Sequence, residues 1–310
     1  MTTVAAPTIE DLFEAWSKPL SQAQKEKCDR AVGEVTKAIQ DDSKLGPLMA
    51  QRRVQVLPQG SYANDVNVSD ESDVDVCVLC TDTFIWNAPA GLTLEMLGGI
   101  PATYSYDVFK DDVERALVNH FGRAAVTRGN KAFDIKETKL RVEADAAPCF
   151  EYRRYYYAWT NRLEYHSGTA LWPDDGYAWI ANFPRQQKDR GEEKNARTNW
   201  RYKKAVRILK NVRYGMIADD LWDEDRTCSF LLECAIWNQE DEAFSGSSLT
   251  PMIRRLLGLL YERTGPQGDA DDWFESNGIK LLFKEGQQWT KQDVRDFVEA
   301  AWVYLGFNNG

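Results

Sequence analysis

The chain has 310 residues, of which 43% are hydrophobic and 12% aromatic. This content can bury stable cores, so a wholly disordered or fibrous protein is excluded, and the length suits two lobes. The net charge of -10 and the pI near 4.9 oppose non-specific gripping of duplex phosphates. Because the sequence lacks a run of about 18 apolar residues and a secretory signal pattern, we expect a cytoplasmic protein without a membrane span.

The N-terminal part of the chain is predicted to be helical. The segment from Ile9 to Trp16 is amphipathic, and Ser21 is placed to cap a long helix that runs to about Gln40. One further helix is predicted at about 106–121. Around it, alternating or β-branched and aromatic residues predict five strands, which are residues 52–58, 73–80, 132–137, 139–148 and 151–159.

From Pro184 onward the apolar residues recur at helical spacing. The predicted fold is therefore α+β and bilobed. Residues 1–165 are expected to form a mixed sheet with bracing N-terminal helices, and residues 166–310 a helical lobe, with the join between the halves falling within 160–184. The later helices of that lobe are predicted at about 227–238, 249–263 and 291–305.

Six scattered cysteines in a chain of this length require no disulfide framework, so we predict reduced core thiols. Cys77 and Cys80 form a C-x-x-C pair, but no second pair follows it and the sequence has only two histidines. Structural zinc needs four converging ligands. We therefore expect no zinc site.

The most informative segment runs from Gln59 to Cys80. Asp73 and Asp75 stand two residues apart in a strand-like run, so their side chains leave the same face with Cα atoms about 6.6 Å apart. Burial and mutual repulsion both oppose ionisation of such a pair unless a divalent cation stands between the carboxylates. Mg²⁺ prefers carboxylate and phosphate oxygens, and this pattern therefore indicates a cation site.

Asp145 supplies a third carboxylate, in the alternating run RVEADAAP, and Glu143 is its nearest rival because it faces the same side. Three such groups on two adjacent strands can hold two cations about 3.5 to 4 Å apart. Gly60 and Ser61 follow an earlier strand. Glycine lets a backbone approach phosphates closely, and a serine hydroxyl can bind the terminal phosphates of a nucleotide.

Simpler interpretations exist for each of these residues. Paired aspartates can protect an edge strand from mispairing, and a lone aspartate such as Asp145 is common in turns. A Gly-Ser pair is often an ordinary turn. The buried appearance of Val74, Val76 and Val78 favours the cation site over edge protection.

Gly60-Ser61, Asp73-Val74-Asp75 and the later Asp145 together resemble the active-site signature of the DNA polymerase β-like nucleotidyltransferase superfamily. Within it, the long GSYANDVNVSDESDVDV form, the N-terminal helix and the helical second half resemble the bacterial cGAS/DncV-like nucleotidyltransferases, known as CD-NTases. The resemblance covers most of the chain. It implies the polymerase β-like fold and an enzyme that condenses nucleoside triphosphates into cyclic oligonucleotide second messengers in anti-phage (CBASS) defence.

The resemblance also implies roles for individual residues. Asp73, Asp75 and Asp145 would be catalytic and would hold two Mg²⁺ ions, for which Mn²⁺ can substitute. The residues that would bind the nucleotide are Gln59, Gly60 and Ser61 in the phosphate turn, Lys210 and Ser229 at the donor triphosphate, and Phe230 as a platform for a base. Lys210 has the alternative of a solvated helix face, and Phe230 that of a core residue.

Local charge supports nucleotide binding independently of the resemblance. Between Phe183 and Met216 eleven basic and three acidic residues give a net +8 in an otherwise acidic protein, which suits capture of polyphosphates. The chain has no cysteine-histidine cluster like that of the DNA-binding insert of animal relatives. We therefore predict activity without a DNA or RNA activator. The resemblance further implies ATP and GTP as substrates and a purine-containing cyclic dinucleotide that acts on a separate effector protein.

Two alternatives remain open at this point. One is an RNA-tailing or adenylyl-transferring enzyme of the same superfamily, which would be expected to carry an extended basic track for RNA. The other is a non-catalytic nucleotide-binding scaffold, which the intact acidic residues oppose.

Overall fold

The computed structural model describes residues 7–68, 73–99, 102, 104–284 and 287–309, and it has the predicted α+β composition. The segment 69–72 of the acidic motif lies outside these residues. The helices are α1 (Ile9–Trp16), α2 (Gln22–Asp41), α3 (Leu45–Ala50), α4 (Gly60–Ala63), α5 (Tyr106–Phe121), α6 (Pro184–Arg197), α7 (Tyr202–Ala218), α8 (Ser229–Trp237), α9 (Leu249–Arg263) and α10 (Lys291–Tyr304). The strands are β1 (Val54–Pro58), β2 (Val74–Asn87), β3 (Val126–Arg128), β4 (Phe133–Ile135), β5 (Ala144–Tyr157), β6 (Leu163–Leu171) and β7 (Ile180–Asn182).

The described strands form one mixed sheet in the order β1-β2-β5-β4-β3, and β6 and β7 extend it from the second half of β5. β2 and β5 run parallel, while the other pairs are antiparallel. β2 is rich in valine and cysteine, and it is buried along most of its first half because a strand with neighbours on both sides faces packed layers.

β5 is the central strand of the functional half. It is one continuous strand of 14 residues, where the sequence predicted separate strands at 139–148 and 151–159. Pro148 does not interrupt it, although proline removes a donor from the ladder. The β4 pairing ends at Ala146 and the β6 pairing begins at Phe150, so the proline lies between two antiparallel partners.

Helices α2 and α5 pack on this sheet unit. α2 begins at a capping box in which the Ser21 side chain accepts from the Gln24 N–H and the Gln24 side chain accepts from the Ser21 N–H, as the sequence predicted for its start. Its buried face, which includes Val35 and Ile39, contacts β1, β2 and β5. α2 therefore braces the strands that carry the acidic residues.

The other compact unit is helical. It contains α1, the short segment Asn64–Val68 and the chain from Arg185 onward, and its core is built from apolar side chains of α1, α7, α8, α9 and α10. α1 packs against α7 and α9, and the Glu10 carboxylate accepts the N–H groups of Leu249 and Thr250 at the start of α9, at 2.6 and 2.7 Å.

The boundary between the two compact units lies at a different place in the sequence from the predicted boundary between residues 165 and 166. The sheet unit extends to Pro184, because β6 and β7 pair with it and were not recognised in the sequence. α1 belongs to the helical unit instead of bracing the sheet.

All six cysteines are free, and five of them are buried, whereas Cys228 is exposed at the start of α8. Within the described ranges, no helix combines the length and the apolar character that a membrane span requires.

Candidate active site

The acidic residues on the two parallel strands lie side by side. Asp75 of β2 and Asp145 of β5 are directly paired in the sheet register, so their side chains leave the same face of neighbouring strands. Asp73 immediately precedes β2 and is exposed. The structure therefore brings together the three carboxylates that the sequence proposed as a set.

The turn that precedes these acids contacts one of them. The Gln59 N–H donates to the Asp75 carbonyl oxygen at 2.9 Å, and Gly60 has a φ of +64°. A Cβ at Gly60 would overlap the Asp75 carboxylate. Glycine is therefore needed here both for the left-handed backbone and for the close approach, and the half-buried Ser61 follows it in the chain.

A fourth carboxylate completes the cluster. Asp134 of β4 is paired with Asp145 on its other side, so one row across three strands carries Asp75, Asp145 and Asp134. Asp134 lies within the strand that the sequence predicts at 132–137, but no role was predicted for this residue. The sequence does carry a signal for this role. Phe133 and Ile135 are buried on one face of β4, so Asp134 lies on the opposite face, where a carboxylate needs polar neighbours.

The electrostatics of the cluster are those of like charges held close together. Burial, followed by the charges of Asp134, Asp73 and Asp75, raises the pKa of Asp145 to about 7. Partial desolvation of the exposed Asp73 side chain, followed by the charges of Asp134 and Glu137, also raises the pKa of Asp73. Burial and Asp73 raise the pKa of Glu143, the rival that lies on the same side of β5. Each of these groups would be stabilised in its ionised form by an added cation.

The residues fit a hard divalent cation by their chemistry. Carboxylate oxygens are the preferred ligands of Mg²⁺. No three acidic, histidine or cysteine side chains in the described part of the chain already surround a common point. The carboxylate donors are instead arranged as a row on one face of the sheet, contributed by neighbouring strands.

The other proposed nucleotide-binding residues lie in the helical unit. Lys210 is in α7 and is buried, with 3% of its surface exposed. Ser229 is the first residue of α8, and Phe230 follows it, half-buried. The Phe230 ring lies 6.0 Å from that of Trp289, so part of its surface is taken by the protein. α7 and α8 pack on each other, which places these residues on neighbouring helices.

The basic segment is less available for ligands than its sequence suggests. Five of its eleven cations are buried, and several are used within the protein: Lys194 pairs with Asp241 at 2.7 Å, and Arg213 donates to the carbonyl oxygens of Thr227 and Glu224 at 2.6 and 2.8 Å. The buried cations are Lys194, Lys203, Arg207, Lys210 and Arg213. A substantial part of the positive charge therefore stabilises the helical unit itself.

Comparison with known proteins gives consistent results. A family model for the cGAS/DncV-like nucleotidyltransferase C-terminal helical domain matches residues 189–306. The cyclic dipyrimidine nucleotide synthase CdnE of Cecembia lonarensis is 36% identical over 303 residues, which cover 97% of this chain and all of that protein. The cyclic dipurine nucleotide synthase of Elizabethkingia meningoseptica is 31% identical over 94% of this chain and 96% of that protein.

A solved structure extends this likeness to the fold. The CdnE c-UMP-AMP synthase of Rhodothermus marinus, solved with Apcpp and Upnpp, superposes with a TM-score of 0.82 and 27% identity, covering 98% of this chain and 99% of that one. The resemblance proposed from the acidic motif is thus confirmed over nearly the whole length. The chain belongs to the cGAS/DncV-like nucleotidyltransferases.

Proposed function

We propose that this protein condenses two nucleoside triphosphates into a cyclic dinucleotide and releases pyrophosphate in each of two successive steps. The observation that carries the proposal is the pairing of Asp75 with Asp145 beside a glycine turn that contacts Asp75. Carboxylates of this kind serve nucleotidyl transfer, in which a ribose hydroxyl attacks the α-phosphorus of a triphosphate. Closure of the ring repeats the same chemistry.

The proposed role of each residue follows from its position in the structure. Asp73, Asp75 and Asp145 would hold two Mg²⁺ ions, or Mn²⁺ in their place, which supply activation of the attacking hydroxyl and neutralisation of the leaving pyrophosphate. The backbone from Gln59 to Ser61 would hold the triphosphate, because the absence of a side chain at Gly60 permits a close approach. On the helical unit, Lys210 and Ser229 would bind the donor triphosphate, and Phe230 would stack on a base.

The choice of bases is the finer part of the proposal. The sequence-based expectation is a product that contains at least one purine. The relatives named above carry dipyrimidine, dipurine and UMP-AMP products in their names, so members with similar chains differ in this property. We further propose that the product is a second messenger for a separate effector protein in anti-phage defence, and that no DNA or RNA is needed for synthesis.

The test is synthesis from all four triphosphates with Mg²⁺ or Mn²⁺. We expect pyrophosphate release and a product whose mass is that of a cyclic dinucleotide, formed equally well after nuclease treatment of the enzyme. Mass spectrometry would identify the bases, and linkage-specific nucleases would identify the phosphodiester bonds. Absence of pyrophosphate release with every triphosphate would favour the scaffold alternative.

A macromolecular acceptor is tested in the same experiment. A labelled single-stranded RNA is added together with the triphosphates, and its length is followed by gel electrophoresis. A synthase leaves the RNA unchanged while forming the cyclic product. Extension of the RNA without a cyclic product would replace the proposal with the RNA-tailing alternative.

A further inference from the structure

The segment that directly follows the phosphate turn is built into the helical unit. Asn64–Val68 begins three residues after Ser61 and belongs to the helical unit, whereas the turn itself belongs to the sheet unit. Val66 is 1% exposed and lies in the same hydrophobic core as Phe13 of α1. The chain that leaves the turn is therefore held, from Asn64 to Val68, by contacts within the helical unit.

Arg207 of α7 holds the segment through its backbone. This side chain is buried, and its Nη1 donates to the Asp65 carbonyl oxygen at 2.6 Å while its Nε donates to the Ser17 carbonyl oxygen at the end of α1, at 2.8 Å. Asp65 has a φ of +55°, which is unfavourable for a residue with a Cβ. A hydrogen bond from a charged donor can maintain such a conformation.

A second buried group holds the preceding residue. The Asn64 side-chain amide donates to the Glu233 carboxylate of α8 at 3.4 Å, and the Gln187 amide donates to the same carboxylate at 2.8 Å. Asn64 and Glu233 are both buried. Two adjacent residues, Asn64 and Asp65, are thus fixed by two helices of one unit.

We infer that Arg207 is a positioning residue for the phosphate turn, acting through Asp65 without contacting the nucleotide. This inference rests on the proposed function. The guanidinium is required because its planar fork reaches two carbonyl oxygens that lie in different directions, whereas a lysine ammonium on the same stem would be limited to a poorer compromise between them.

The experiment compares Arg207→Met and Arg207→Lys with a matched control, Arg255→Met. Arg255 lies on α9 of the same unit and also donates to two backbone carbonyl oxygens, those of Ala243 and Ser245, which are remote in sequence from the turn. We expect Arg207→Met to raise the KM for the triphosphates about tenfold, the cost of a hydrogen bond from a charged donor. Arg207→Lys should lie between it and the wild type, and Arg255→Met should leave KM within about twofold.

Hydrogen exchange supplies a readout that needs no turnover. We expect the backbone amides of residues 59–68 to exchange faster in Arg207→Met and Arg207→Lys than in the wild type, and to be unchanged in Arg255→Met. This measurement decides the role of Arg207 even where the proposed reaction fails. If Arg207→Met does not fold, Arg207→Lys keeps the test open. The inference is overturned by a wild-type KM and wild-type exchange in the folded Arg207 variants.

Discussion

Around Asp145 in the sheet unit, carboxylates gather on one face, whereas in the helical unit buried cations are matched to oxygen atoms of the protein. The neighbouring charges that raise the pKa of Asp145 most all belong to other acids. By contrast, Arg207 and Arg213 each donate to two backbone carbonyl oxygens, and Lys194 pairs with Asp241.

The two regions therefore use charge differently. The buried cations of the helical unit stabilise the fold, whereas the carboxylates around Asp145 are suited to binding a ligand. A buried cation whose hydrogen bonds are satisfied contributes to one defined structure. A row of like charges costs stability and is useful only when something positive binds beside it. Both regions are rich in charge in the sequence, and only their partners distinguish them.

Removal of one carboxylate should have the largest effect on activity. We expect Asp75→Asn and Asp145→Asn to reduce turnover by at least about 10³-fold, because each removes several kcal/mol of charge stabilisation from the transition state. Both variants should remain folded by circular dichroism. Asp41→Asn, an exposed residue at the end of α2, is the matched control and should retain wild-type turnover in the pyrophosphate assay. Turnover above a tenth of wild type in both site variants would contradict the assignment.

The glycine turn is expected to show the next largest effect. In Gly60→Ala the left-handed backbone costs about 1–2 kcal/mol, and the new methyl group also overlaps the Asp75 carboxylate. We expect turnover to fall at least about 30-fold and the melting temperature to drop. Gly91→Ala is the control, since Gly91 also has a positive φ but nothing within 4 Å of its Cβ position. Its melting temperature should drop, with turnover unchanged.

The pH dependence of stability tests the repulsion among the acids. The pKa of Asp145 is raised to about 7 by burial and neighbouring carboxylates, so the folded state favours its protonated form. The contribution of this group to stability is full below about pH 4 and is lost as the pH rises through about 7. In EDTA, the free energy of unfolding of the wild type should therefore fall more steeply with rising pH than that of Asp145→Asn. The difference between the two slopes should correspond to at most one bound proton. Parallel profiles would refute the repulsion.

Phe230 should give the smallest effect. Its ring already contacts Trp289, so the protein holds it in place and only part of its surface is open to a base. We expect Phe230→Leu to raise the KM for one triphosphate by less than about tenfold, since stacking on one base contributes about 1–3 kcal/mol and leucine retains part of that contact. An equal change for all triphosphates, or none, would remove the stacking role.

Much of the site was predictable because it follows from local rules. Side chains two residues apart on a strand lie on the same face, because of the geometry of the backbone alone. The sequence therefore suffices to place Asp73 and Asp75 on one face. The cap of α2 at Ser21 was likewise signalled by side chains close in sequence, and so were the helices α5, α7, α8, α9 and α10. The role of Gly60 followed from its lack of a side chain.

The remainder depends on partners that are distant in the sequence. The contribution of Asp134 arises from its register with Asp145, which the local pattern does not specify. β6 and β7 were missed because β6 contains several polar residues and a glycine, and β7 has only three residues, so that both carry weak strand signals. Five of the eleven cations of the basic segment are buried, and Arg207 and Arg213 among them bind carbonyl oxygens elsewhere in the chain, so the sequence alone overstated the charge available to a ligand.

The parallel alignment of β2 with β5 has a consequence for how the enzyme is made. Between these strands the chain must complete α5, β3 and β4, so closing the pairing requires a long loop whose entropy is lost ahead of any stabilising contact. Asp75 is synthesised long before Asp145, and the two carboxylates cannot be paired until the crossover has closed. A partly synthesised or partly folded chain therefore lacks the row of carboxylates that the proposed reaction would use.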